Sequence, residues 1–167
     1  MASTRATVPE PPPHPPSQPA AVVSCHGGCG ATTLARLLPA REVQRDGLGV
    51  GNVPLVLVAR GTAYGLLWAT KGVAMAHQYI ERGWLTTPPV LALVADSTLR
   101  EPATVRARVR LIEDRLQAVV RLPYVPDWRD TDDPLSLPAP KSLAGPVQQL
   151  RAAIATNAPT VPMEVPV

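Results

Sequence analysis

The feature that most constrains this fold is an apolar run, Ala20-Ala21-Val22-Val23-Ser24-Cys25, that passes through His26-Gly27-Gly28-Cys29-Gly30 into Ala31-Thr32-Thr33-Leu34-Ala35-Arg36-Leu37-Leu38. A buried strand that feeds glycines into a helix fixes the direction of both elements and crowds backbone amides where they meet. Gly27, Gly28 and Gly30 let successive N–H groups converge on an anion, and the positive end of the helix dipole adds to the attraction. The same few residues hold both cysteines of the chain.

The rest of the chain repeats the strand-then-helix alternation. Val53 to Arg60, Val90 to Asp96 and Ala118 to Leu122 are short apolar runs and read as further strands. Thr62 to Arg82 reads as a helix, with Leu66, Ala69, Val73, Ala76 and Ile80 near a 3.6-residue period and Gly83 as its stop. Pro102 suits the first residue of a helix running through Leu116, whose Val105, Val109, Ile112 and Leu116 form one stripe. Lys141 to Ala155 reads as a last helix. Pro39 interrupts the first helix, Arg41 to Arg45 is expected to continue it, and Gly47, Gly49 and Gly51 break the chain. The fold class is therefore α/β. We expect a small, mostly parallel sheet of about four to five strands flanked by helices in three layers.

Three segments follow from composition. Residues 1–19 are crowded with prolines and read as a disordered or polyproline tail, 20–155 as the folded domain, and 156–167 as a flexible end. Hydrophobic residues make up 46% of the 167, with no phenylalanine, so the core must be built from Val, Leu, Ala and Ile. No apolar run approaches the roughly 20 residues of a membrane-spanning helix, and the N-terminus lacks the apolar core of a secretory signal. A cytoplasmic protein is expected. A net charge of +3, from 16 basic and 13 acidic residues, is too small by itself to imply nucleic-acid binding, and direct binding of nucleic acid is not expected.

The glycine stretch resembles the deviant Walker A loop of the MinD/ParA branch of P-loop ATPases, whose pattern is Lys-Gly-Gly-x-Gly-Lys-Thr-Thr. Here it reads His-Gly-Gly-Cys-Gly-Ala-Thr-Thr, with Ala31 and His26 at the two lysine positions. Leu55 to Leu66 is similar to the family's late strand and the helix after it. Val90 to Asp96 is similar to the next strand, and Val119 to Asp127 to the last strand and proline loop that bracket the base. Only Pro39 to Asn52 stands where the family has a strand ending in Asp, a switch loop and the Walker B strand, and its sole carboxylates are Glu42 and Asp46.

The resemblance implies a reduced P-loop NTPase-like domain with ATP or ADP and Mg²⁺ as cofactors. It implies nucleotide contacts from His26, Gly27, Gly28, Cys29, Gly30, Ala31, Thr32, Thr33, Asp96, Pro123 and Tyr124, with Thr32 as a Mg²⁺ hydroxyl. It also implies a protein partner or self-association as a dimer.

Phosphoryl transfer needs cations on the terminal phosphate oxygens, a held Mg²⁺ and a placed water. With both lysines and the Walker B acid missing, binding without hydrolysis is the expected activity, and His26 is the one residue of the loop that could supply a partial charge. The alternatives are a slow ATPase completed by a second chain, and an interaction scaffold whose loop stays empty. Cys25, His26 and Cys29 also offer an incomplete metal set or a redox pair, against the simpler reading of two small buried residues. Arg60 and Arg129 are further candidates for reaching an anion from strand ends or loops. Trp68, Trp84 and Trp128 read as packing residues, and Arg106, Arg108 and Arg110 as a solvated helix face.

Overall fold

A computed structural model of the chain describes residues 20–44 and 53–156. The proline-rich tail, the glycine breaks at 47, 49 and 51, Asp46 and the end beyond Thr156 lie outside the described residues. The strands are β1 (Ala21–Ser24), β2 (Arg41–Val43), β3 (Leu55–Arg60), β4 (Val90–Val94) and β5 (Ala118–Leu122). The helices are α1 (Ala31–Leu37), α2 (Ala63–Glu81), α3 (Ala103–Arg110) and α4 (Lys141–Thr156).

All five strands are parallel and run in the order β2-β1-β3-β4-β5. The chain steps outward from β1 to β2, crosses back to β3 on the other side of β1, and then proceeds to β4 and β5. This is one of the two common doubly wound orders, and its reversal point lies between β1 and β3.

Both faces of the sheet are covered, which is why its strands are continuously apolar rather than alternating. Leu55, Leu57 and Ala59 of β3 pack with Leu91 and Leu93 of β4 against Leu66, Ala69 and Val73 of α2 and Val105 and Val109 of α3. Val56 and Val58 face the other way, toward Leu34 of α1 and Leu143, Leu150 and Ile154 of α4. Small residues let α2 lie close on the sheet. A Cβ on Gly65 would meet the Arg60 carbonyl oxygen at 2.0 Å, and one on Gly72 would touch the Leu57 side chain at 3.4 Å.

Two local expectations need correction. Arg41 to Val43 is not a continuation of the first helix but an edge strand, paired in register with Ala21 to Val23. Three residues carry too little pattern to announce a strand, and it is the neighbouring β1 that makes one of them. The helix expected through Leu116 ends at Arg110 and passes into a 3-10 turn at Glu113–Arg115, with Pro102 as its N-cap instead of its first residue. The stripe was nonetheless correct, for Val105, Val109, Ile112 and Leu116 are all buried. Leu116 must already be extended to enter β5, so the last turn of the stripe tightens rather than continuing as α-helix.

Candidate functional site

Two clefts among the described residues open at the carboxyl edge of the sheet, where ligands of such folds bind. The first is built by the glycine stretch. β1 ends at Ser24, the chain turns through Cys25 to Gly30, and Gly30 caps α1 in the left-handed conformation at φ 92°. Gly28 has φ 70°, and Cys29 between them is not left-handed. Alternating backbone handedness of this kind bends successive N–H groups toward one side, making a concave nest of donors. None of the amides from Gly27 to Thr33 donates to an acceptor among the described residues.

These residues line a cleft of about 650 Å³ together with Ser24 and, from the end of β2, Glu42, Val43 and Gln44. Its lining contains no lysine or arginine among the described residues, and Glu42 is its one carboxylate. Thr32 and Thr33 stand at its helical end, Thr32 exposed. No group of three His, Cys, Asp or Glu side chains among the described residues is arranged to hold a metal.

His26 is buried and fully engaged. Its Nε2 accepts the backbone N–H of Arg60 at 3.1 Å, and an N–H donor of the main chain leaves that nitrogen no role but acceptor. Nδ1 therefore carries the proton and donates to the Gly27 carbonyl at 3.0 Å. The ring is engaged at both nitrogens between the loop and the end of β3, with no N–H facing an incoming anion. Its edge contacts Tyr64 of α2, centroids 5.5 Å apart. His26 thus fastens the loop where the sequence offered it as a replacement for a lysine.

Neither cysteine is in a disulfide, and both are buried, in different cores. Cys25 packs with Ala21 and Val23 toward α2, while Cys29 packs with Ala20 and Val22 toward α1 and α4. The hydroxyl of Ser24 donates to the His26 carbonyl at 2.6 Å, so in its 3.2 Å contact with Cys29 it is the thiol that donates. Two buried thiols on opposite faces make neither a metal pair nor a ready disulfide.

Of the residues expected around a base, Asp96 and Pro123 line a second cleft, of about 640 Å³, over the ends of β4 and β5. Tyr124 lines neither cleft. Its hydroxyl accepts from Arg129 Nη1 at 3.4 Å, and the Arg129 guanidinium lies 5.9 Å from its ring centroid.

Arg60 joins the two clefts. Its Nε donates to the Gly28 carbonyl at 3.1 Å, and its Nη1 lies 3.7 Å from Asp96 Oδ1. The glycine loop is therefore held to β3 twice, by the backbone of Arg60 through His26 and by its side chain through Gly28.

Elsewhere Arg106 and Arg108 donate to the carbonyls of Glu101 and Ala63, so much of that basic face is tied to the protein itself. Trp84 stacks on Tyr79 at 5.1 Å, Trp68 packs on the first core and Trp128 on the second. Gln44 carried no sequence signal as a lining residue, since its place depends on β2 pairing with β1. No helix among the described residues is long and apolar enough to cross a membrane. No family model, curated protein or solved structure matches this chain.

Proposed function

We propose that the chain is a phosphate- or nucleotide-binding module that does not hydrolyse its ligand, a degenerate relative of the MinD/ParA-like ATPases acting in the cytoplasm through a protein partner or a second copy of itself. The observation that carries this reading is the run of undonated amides from Gly27 to Thr33 along a concave cleft at the carboxyl ends of β1 and β2. Backbone amides hold a phosphate without any charged side chain. The ligand would be ATP or ADP, with Thr32 and Glu42 as the groups of this cleft nearest in kind to Mg²⁺ ligands.

Turnover demands more than binding. Charge that builds on the transferred phosphoryl group has to be met by cations, and the loss of one such electrostatic group typically costs about 3 kcal/mol of transition-state stabilisation. Among the described residues the lining of this cleft offers no arginine or lysine, and both ring nitrogens of His26 are already engaged by the protein. Hydrolysis near the uncatalysed rate follows.

Thermal unfolding with ATP, ADP, GTP and GDP, each with and without Mg²⁺, tests the proposal, because a ligand of the folded state raises its stability. Stabilisation without phosphate release is the expected result. Phosphate release at an enzymatic rate would transfer the reading to an ATPase completed by another chain, and no stabilisation by any of the four would leave an interaction scaffold.

A further inference from the structure

We propose that the second cleft, over the carboxyl ends of β4 and β5, binds a small hydrophobic monocarboxylate. Its volume of about 640 Å³ lies in the range of small-molecule sites, and buried Leu93, Val105 and Leu122 supply apolar lining at its base. Leu99 stands at this cleft with 80% of its surface exposed, on the stretch that links β4 to α3. A large aliphatic side chain held in water beside an apolar hollow gains most when an apolar body enters and covers it.

The charged groups of the cleft set the sign of the ligand. Glu101 is closed on Arg121, its two carboxylate oxygens accepting from Arg121 Nε at 2.9 Å and Nη2 at 3.3 Å. Asp96 has Arg60 at 3.7 Å. Arg100, by contrast, lines the cleft and has no partner among the described residues. The hydroxyls of Thr104 and Ser142, also in the lining, have none either. Both acids are answered and one guanidinium is not, so the cleft has room for one negative charge and donors to receive it. A polyphosphate would bring several charges beside Asp96 and Glu101, whereas an aliphatic or aryl carboxylate brings one together with a body that fits the apolar lining.

The inference stands independently of the glycine loop. Titration of octanoate into the ¹⁵N-labelled full-length chain tests it, with octylammonium as the same body bearing the opposite charge. We expect saturable shifts confined to the amides around 95–105 and 121–122, and weaker binding of octylammonium. Arg100→Glu lowers octanoate affinity by about tenfold or more, since a charge-assisted hydrogen bond is replaced by repulsion. Thr104→Trp, at an exposed position on α3, fills the cleft and abolishes the shifts while the circular dichroism spectrum is unchanged. Equal binding of octylammonium, shifts centred on residues 26–33, or no saturation with octanoate would each overturn the proposal.

Discussion

The two clefts share one edge of one sheet and are made of different material. The cleft at the glycine loop is lined by main chain, and its donors are amides that every residue but proline possesses. The cleft over β4 and β5 is lined by side chains, with Leu93, Val105, Arg100 and Thr104 giving it its character. A site made of backbone depends on φ and ψ and forgives changes of side chain, while a site made of side chains does the reverse. The first cleft therefore keeps its amide lining with an alanine at position 31, and lacks only what a cationic side chain there would add.

That contrast can be broken most severely at Gly65, where α2 crosses the end of β3. Gly65→Ala puts a Cβ 2.0 Å from the Arg60 carbonyl, so helix and strand must separate. We expect a loss of about 3 kcal/mol in denaturant titrations, with both clefts disturbed, since Arg60 contacts Gly28 of one and Asp96 of the other. His26→Ala acts on the first cleft alone. It leaves the Arg60 amide without its acceptor and unfastens the loop, an expected cost of about 2 kcal/mol, accompanied by faster hydrogen exchange at Arg60.

Gly28→Ala sharpens the comparison. Nothing crowds the new methyl group, and the cost is that of a left-handed backbone, about 1 kcal/mol. If the cleft is amide-built, the folded variant retains stabilisation by nucleotide. The smallest effect belongs to Asp133, outside both clefts. The Arg36 guanidinium hydrogen-bonded to it at 2.8 Å holds its carboxyl below the ordinary 3.8, against a smaller opposing effect of desolvation. A depressed folded pKa gives stability that is present above the unfolded value and lost as pH falls through the folded one. Asp133→Asn should therefore unfold more easily than the parent at neutral pH and converge with it in acid below that range, by a margin that salt diminishes.

Legibility in the sequence followed the same division between local and distant causes. β5 and the last helix were readable almost to the residue because apolar runs and their breakers are local. β2 was not, because Arg41-Glu42-Val43 becomes a strand only by pairing with β1. The glycine turn was legible from Gly28 and Gly30, whose left-handed φ nothing but glycine adopts at ease. The role of His26 was hidden, because the amide that fixes its tautomer belongs to Arg60 at the far end of another strand. The separation of Asp96 and Pro123 from the loop was equally hidden, since it depends on strand order. The proline loop holding Tyr124 gave no sign in the sequence of the contact its hydroxyl accepts from Arg129.

The placement of the cysteines on opposite sides of the sheet has a consequence for how this protein ages in oxidising solution. With Cys25 sealed beneath α2 and Cys29 beneath α1 and α4, their sulfur atoms can be joined only after the end of β1 has come apart. A Cys25–Cys29 bridge found by mass spectrometry in an aged sample would thus be a chemical scar of past unfolding, and its yield a count of how often that strand end lets go.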